Sequence, residues 1–283
     1  MIPLFVELCA GTAALSLRLH GGKHARPPVS RMGNKQGYAA AILRTLGLRS
    51  GSGAARYLLC EPDDGCRLLL ISYTDEELRS KAAEIIRGWK DEDPRKLWDR
   101  LRAEGPVKAP PVDPREVARW CLGQAWGSTG YWCGPDRGGP CGEHPEGWTG
   151  SITIPGLTGR LSTLPTLPAS ILPDACDIDP PQLPPGSVVY IDPPYLNTTG
   201  YAHDLGRAAV CELAERWASA GAWVVISEAE PLAELGWHQV EITGERIGQK
   251  RTFSKQQREY LTMSQPPLWR PSVQHTLFSM AAK

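Results

Sequence analysis

The run Asp192-Pro193-Pro194-Tyr195 puts a carboxylate, two backbone carbonyls on a stiff turn, and an aromatic ring within four residues. That set suits an exocyclic amine on a flat base. If Asp192 accepts one N–H and the Pro193 carbonyl the other, the nitrogen can move towards tetrahedral geometry and free its lone pair for attack. Tyr195 can stack on the base face, a contact of roughly 1–3 kcal/mol per base. A plain strand-then-turn with an exposed tyrosine is the competing reading.

The corner is positioned by what precedes it. Val188-Val189-Tyr190-Ile191 is an apolar, β-rich run that reads as a buried strand. Proline has no N–H and fixes φ, so Pro193-Pro194 cannot extend the ladder, and Asp192 is pushed out of the helical region. The acid therefore stands at the carboxyl end of a strand, the edge where open α/β sheets bind ligands.

A second strand-and-turn opens the chain. Leu4 to Leu8 reads as a strand running into Cys9-Ala10-Gly11-Thr12, with a helix over Ala13 to His20. Gly11 permits a tight turn, and the new helix presents unpaired N–H groups beside it. Ala55 to Cys60 is a further strand, ending on Glu61-Pro62-Asp63-Asp64, where a Rossmann-like fold places an acid for ribose hydroxyls. Helices are expected over Ala39 to Leu46, Asp75 to Arg102 (capped by Thr74, with Glu77 at the capping-box position), Val117 to Trp126 and Leu205 to Ala220. Ala222 to Ser227, Val240 to Ile242 and Glu259 to Thr262 complete the strands. Gly105 to Pro114 is a proline-rich break. Gly127 to Pro168 is the least regular stretch, its aromatic and basic residues set among glycines.

The 283 residues suffice for one large or two small domains. Lys+Arg and Asp+Glu both number 31, which excludes a globally basic, purely electrostatic polyanion binder; a nucleic-acid groove has to be a local patch. Eight cysteines without a leading signal peptide point to reduced thiols and a cytoplasmic setting rather than a disulfide framework. No run approaches a membrane span. Cys121, Cys133, Cys141 and His144 are separated by 11, 7 and 2 residues, giving one close pair where structural zinc normally uses two, so no metal site is expected.

Asp192-Pro193-Pro194-Tyr195 resembles the catalytic motif of DNA adenine-N6 methyltransferases, and most of the chain is similar to their Dam-like class. The resemblance implies a Rossmann-like S-adenosylmethionine-dependent methyltransferase fold, α/β with a mostly parallel sheet. Residues 1–74 and 170–283 would form the catalytic domain, with an inserted, loop-rich helical target-recognition region over 75–169. Glu7 to Thr12 would back the methionine part of S-adenosylmethionine, Glu7 lying beside its cationic end. Glu61 or Asp63 would take the ribose, Asp63 matching the family position best.

Arg31 to Tyr38 resembles the family's Gly-Gly-Lys segment, whose lysine, here Lys35, approaches the cofactor carboxylate. Asn34 stands where the second glycine would be. The segment usually precedes the cofactor strand and here follows it, so it must return across the pocket. The segment 119–159 loosely resembles the target-recognition part, ending in Ile154-Pro155-Gly156. Arg137 and Arg160 are candidates for phosphate or guanine contacts, and Tyr201 for the base pocket. The basic stretch with Arg246, Lys250, Arg251, Lys255 and Arg258 is the best phosphate contact.

The function implied is methylation of adenine N6 in DNA, with the choice between duplex and single strand left open. The base would be flipped out at a cost of a few kcal/mol and its nitrogen would attack the sulfonium methyl in line. The same amine geometry serves cytosine-N4 enzymes, which more often carry Ser first, and protein-glutamine enzymes, which usually carry Asn. A DNA-binding module without turnover is the non-enzymatic alternative. The recognition sequence and the oligomeric state are not encoded in these motifs.

Overall fold

The computed structural model describes residues 2–29, 35–126, 153–194, 205–242 and 259–268. Its frame is a sheet of seven strands: β1 (Ile2–Leu8), β2 (Ala54–Cys60), β3 (Ala169–Leu172), β4 (Val188–Ile191), β5 (Trp223–Glu228), β6 (His238–Ile242) and β7 (Glu259–Met263). They lie in the order β3-β2-β1-β4-β5-β7-β6. β3 through β5 are parallel, and β7 runs antiparallel between β5 and β6. This is a mixed, mostly parallel, Rossmann-like α/β fold. The strand order reverses at β1, so the crevice between the carboxyl ends of β1 and β4 is its topological switch point.

The helices are α1 (Ala14–Gly21), α2 (Ala39–Thr45), α3 (Asp64–Thr74), α4 (Glu76–Gly88), α5 (Pro94–Ala103), α6 (Pro114–Trp126), α7 (Ile154–Ser162) and α8 (Arg207–Ser219). Strand alternation divides the core in two. Phe5, Val188, Tyr190, Val225 and Leu261 face the larger apolar cluster, built with α1, α2, α3 and the helices after them. Val6, Leu8, Val189, Ile191 and Val224 face the other side, under α8 and the chain leading into β4. The helices of the 75–169 region pack into the first cluster with the sheet itself, around buried Leu78, Ile86, Leu97 and Trp120.

Local chemistry explains the helix ends. Asp63, Asp75 and Asp93 each cap a helix by accepting from the backbone three residues on: Cys66, Leu78 and Lys96. The expected cap at Thr74 is displaced: that residue ends α3, donating to the Ile71 carbonyl, and Asp75 starts α4. The single charged helix expected to run from Asp75 to Arg102 is two, α4 and α5, divided at Trp89 to Asp93. Ile154-Pro155-Gly156, expected within an irregular stretch, is the first turn of α7, where Pro155 needs no intrahelical partner and Thr153 Oγ1 caps Gly156. β3 is an additional edge strand. No helix among the described residues is long and apolar enough to cross a membrane.

Candidate active site

Four side chains of alternate parity converge above the switch point. Glu7 pairs in register with Tyr190, and Tyr190 with Val225, so Glu7, Tyr190, Asp192 and Ser227 point to the same face of the sheet. β7, running the other way, brings the start of its chain to the same edge, and Glu259 shares that face with Leu261.

Asp192 is fastened to the first turn: its N–H donates to the Leu8 carbonyl at 3.2 Å. The acidic corner and the Leu8–Thr12 turn are thereby neighbours. Pro193 is buried, and Asp192 itself is 18% exposed, at the rim. Its Oδ1 accepts from Lys35 Nζ and, at 3.2 Å, from Ser227 Oγ. Ser227 Oγ is in turn 2.7 Å from the Tyr190 hydroxyl. Lys35 is 5% exposed and also lies 3.9 Å from Glu259 Oε1.

The charges in this crevice shape one another. Burial raises the Asp192 carboxyl above its ordinary value, with Lys35 and Ser227 pulling it back. Burial, then the Asp192 charge, pushes Glu228 up to about 8. Glu7 is pushed up to about 7, chiefly by burial, against hydrogen bonds from Ser16. Burial likewise raises the Cys9 thiol, with Glu61 and Asp192 adding to the effect. Among the described residues the site is rich in carboxyls around the Lys35 ammonium, and suits a ligand that brings N–H donors or positive charge.

The turn is built by backbone strain and long-range carboxylates. Cys9, Gly11 and Ala13 all have positive φ (56°, 53° and 49°), which is uncommon for the two residues that carry a Cβ. Ala10 N donates to Cys60 O, and Gly11 N to Glu61 Oε2 at 2.7 Å. Glu61 Oε1 accepts from Asp63 N at 3.1 Å, so one side chain ties the turn after β1 to the turn after β2. The Tyr73 hydroxyl reaches the Thr12 carbonyl from α3 at 3.3 Å. Beside Gly11 the space is open: a Cβ there would meet nothing within 4 Å.

Several expected residues take unexpected places. Glu7, expected beside a cofactor cation, serves α1: its Oε2 accepts from Ser16 N at 3.1 Å and Ser16 Oγ at 2.6 Å, a buried carboxylate at the positive end of the helix. Asp63, the better family match for ribose, has Oδ1 on the Cys66 N–H as the α3 cap, while Glu61 is the acid at the Gly11 turn. Lys35 does return across the sheet edge, but its ammonium sits on Asp192 and near Glu259. Arg160 is half-buried on α7, donating to the Pro28 carbonyl at 3.2 Å, and burial, then the nearby Arg26 charge, lowers its pKa. Cys121 is buried on α6, its thiol pushed up to about 12 by burial. Tyr195, Arg137, Tyr201, Arg246, Lys250, Arg251, Lys255 and Arg258, with Cys133, Cys141 and His144, lie outside the described residues.

Ser227, Glu228 and Glu259 were not among the sequence candidates. The available signal was positional: polar residues ending the strand beside the Asp192 strand, and beginning a strand that returns to it.

No family model matches the chain, and no curated protein matches it. Among solved structures, the rRNA methyltransferase aviRa from Streptomyces viridochromogenes is similar over 92% of this chain and 76% of its own, at 13% identity and a TM-score of 0.30. A likeness of that degree carries nothing about activity. The fold stands on strand order and register.

Proposed function

We propose that this chain is an S-adenosylmethionine-dependent methyltransferase acting on the N6 amine of adenine in DNA. The observation that carries the reading is the hydrogen bond from Asp192 N to Leu8 O, which places an acidic, proline-stiffened corner against a strained glycine turn at the switch point of this fold. The turn fits the cofactor, given its open space beside Gly11 and a carboxylate at the end of β2. Leu8 to Thr12 would back the methionine part. Glu61, the carboxylate that clasps the Gly11 and Asp63 N–H groups at the end of β2, would take the ribose hydroxyls. Bound there, S-adenosylmethionine supplies an electrophilic methyl on a sulfonium.

The residues of the chain do the rest. Asp192 accepts an N–H of the amine, so the nitrogen lone pair is less delocalised into the ring. Positive charge develops on that nitrogen during transfer, and the fixed carboxylate stabilises it; preorganised electrostatics of this kind is often the largest catalytic contribution. Burial raises the Asp192 carboxyl, and the Lys35 ammonium opposes that by favouring its charged form. Pro193 and Pro194 hold the corner rigid, and Tyr195 stacks on the extruded base.

The test is transfer of tritium from labelled S-adenosylmethionine to DNA, RNA and a protein extract, with digestion of the nucleic acid to nucleosides. Label in N6-methyladenine from duplex DNA is the expected outcome. Label in N4-methylcytosine or in glutamine reassigns the substrate, and no label in any acceptor leaves a binding module. Asp192→Ala should lose methyl transfer by about a hundredfold or more and keep its circular dichroism, since Lys35 retains Glu259 nearby. Substantial turnover by that variant removes Asp192 from the chemistry.

A further inference from the structure

The two oxygens of Asp192 have different surroundings. Both hydrogen bonds to its side chain, from Lys35 Nζ and from Ser227 Oγ, end on Oδ1, and among the described residues none ends on Oδ2. Behind Ser227 stands Tyr190, fully buried on the neighbouring strand with its hydroxyl 2.7 Å from Ser227 Oγ. Proton counting gives this chain a direction. A serine hydroxyl has one proton, and toward an ionised carboxylate it must donate it, so the phenol donates to the serine. Tyr190 OH, Ser227 Oγ and Asp192 Oδ1 form a relay of donors that ends on one oxygen.

We propose that Ser227, backed by Tyr190, is a positioning residue for Asp192, holding Oδ1 so that Oδ2 is the oxygen offered to the substrate amine. This rests on the methyl-transfer reading above. The physical reason lies in the site's geometry. A carboxylate on a short side chain can rotate about its Cα–Cβ and Cβ–Cγ bonds, and a flexible lysine alone does not fix that rotation. Ser227 sits on β5 with no exposed surface, in register beside β4, so its oxygen is as fixed as the sheet. With the Tyr190 hydroxyl on one side and Asp192 on the other, the single Ser227 proton is committed to Oδ1. Holding a catalytic acceptor on rigid strands in this way keeps it near productive geometry.

Among the described residues, the groups around Asp192 are Lys35 from the turn before α2, Glu7 and Cys9 from β1 and its loop, Tyr190 from β4, Glu228 from β5 and Glu259 from β7. Of these and Ser227, only Lys35 and Ser227 hydrogen-bond the carboxylate. Removing the Ser227 donor takes one of two stabilisers from the charged form, so the Asp192 carboxyl should titrate at higher pH.

The experiment follows Asp192 directly, by carbon-13 NMR of labelled aspartate carboxyls with Asp192→Asn for assignment, in substrate-free wild type, Ser227→Ala and Tyr190→Phe. Methyl-transfer kinetics are measured on the same proteins. Ser227→Ala should move the Asp192 titration and the acidic limb of kcat to higher pH, and lower kcat about tenfold with KM changed less than about twofold. Tyr190→Phe should show the same pattern more weakly, and it serves if Ser227→Ala leaves the buried phenol unpaired and fails to fold. Unchanged titration and unchanged kcat in a folded variant overturn the proposal. Equal losses in KM and kcat with an unmoved titration make Ser227 merely structural, which also overturns it. A wild type that moves no methyl group overturns the methyl-transfer reading instead, while the carboxyl titration still decides whether Ser227 holds Asp192.

Discussion

Gly11 carries its φ of +53° between Cys9 and Ala13, which take similar left-handed angles without being glycine. Three such residues in five leave little slack. A Cβ at Gly11 has room, so Gly11→Ala tests backbone conformation rather than space. The left-handed region costs a residue with a Cβ roughly 1–2 kcal/mol. The variant should fold, lose about that much stability by urea titration, and bind S-adenosylmethionine more weakly by calorimetry as the turn shifts. Undiminished affinity would show that the turn does not hold the cofactor. Glu61 is the counterpart on the other strand: its two oxygens on Gly11 N and Asp63 N make it a clasp between the loops, whatever else it binds.

Among the elements, α3 and α6 are the pair most sensitive to a single atom. A Cβ on Gly65 would come within 1.9 Å of Trp120 Nε1, and Trp120 is buried. The close approach lets the α6 indole lie against the first turn of α3, directly behind the Glu61-to-Asp64 loop. Gly65→Ala gains up to about 1 kcal/mol of helix propensity, but overpacking typically costs about 1–3 kcal/mol, and this site is at the severe end. The thermal midpoint should fall. Combining it with Trp120→Leu should cost less than the sum of the two single changes, because the clash is shared. Simple additivity would mean that the indole is not what Gly65 makes room for. The caps at Asp63 and Asp75 belong to the same scale, fixing where α3 and α4 begin and so where the helices over the sheet lie.

For the whole molecule, buried carboxyls and surface ion pairs pull stability in opposite directions with pH. Glu7 and Glu228 have folded pKa values of about 7 and about 8, above their ordinary 4.5. Their contribution is fully present below about pH 4.5 and is lost as pH rises through those folded values, because the native state holds the proton longer. Glu234, paired with Arg207, is lowered to about 2, so its contribution is present above pH 4.5 and lost as pH falls towards 2. Glu234 is at the surface, and solvent screens much of that effect. Urea midpoints should therefore be higher near pH 5 than near pH 8.5. Glu228→Gln should raise the midpoint at pH 8.5 while leaving pH 5 nearly unchanged; equal shifts at both would place the effect in packing instead of ionisation.

What the sequence determined is local. An apolar run ending on Asp-Pro-Pro must be a strand that stops at an acid, because proline forbids the next ladder bond, and Gly11 after Leu4 to Leu8 must turn. Those two features located the edge of the sheet that matters. They gave no hint of β3, a four-residue edge strand between prolines, or of α7, whose proline and two glycines read as loop until its cap and packing are counted. Tertiary structure alone decided which groups meet. Lys35 reaches Asp192 across 157 residues and Ser227 across 35, through strand order and register that no short window contains. It also took Glu7 to α1 and Asp63 to α3, since a buried helix end needs acceptors and takes the nearest carboxylate. Spacing along the chain names the residue types available for chemistry; burial and hydrogen-bond satisfaction decide which of them are already engaged.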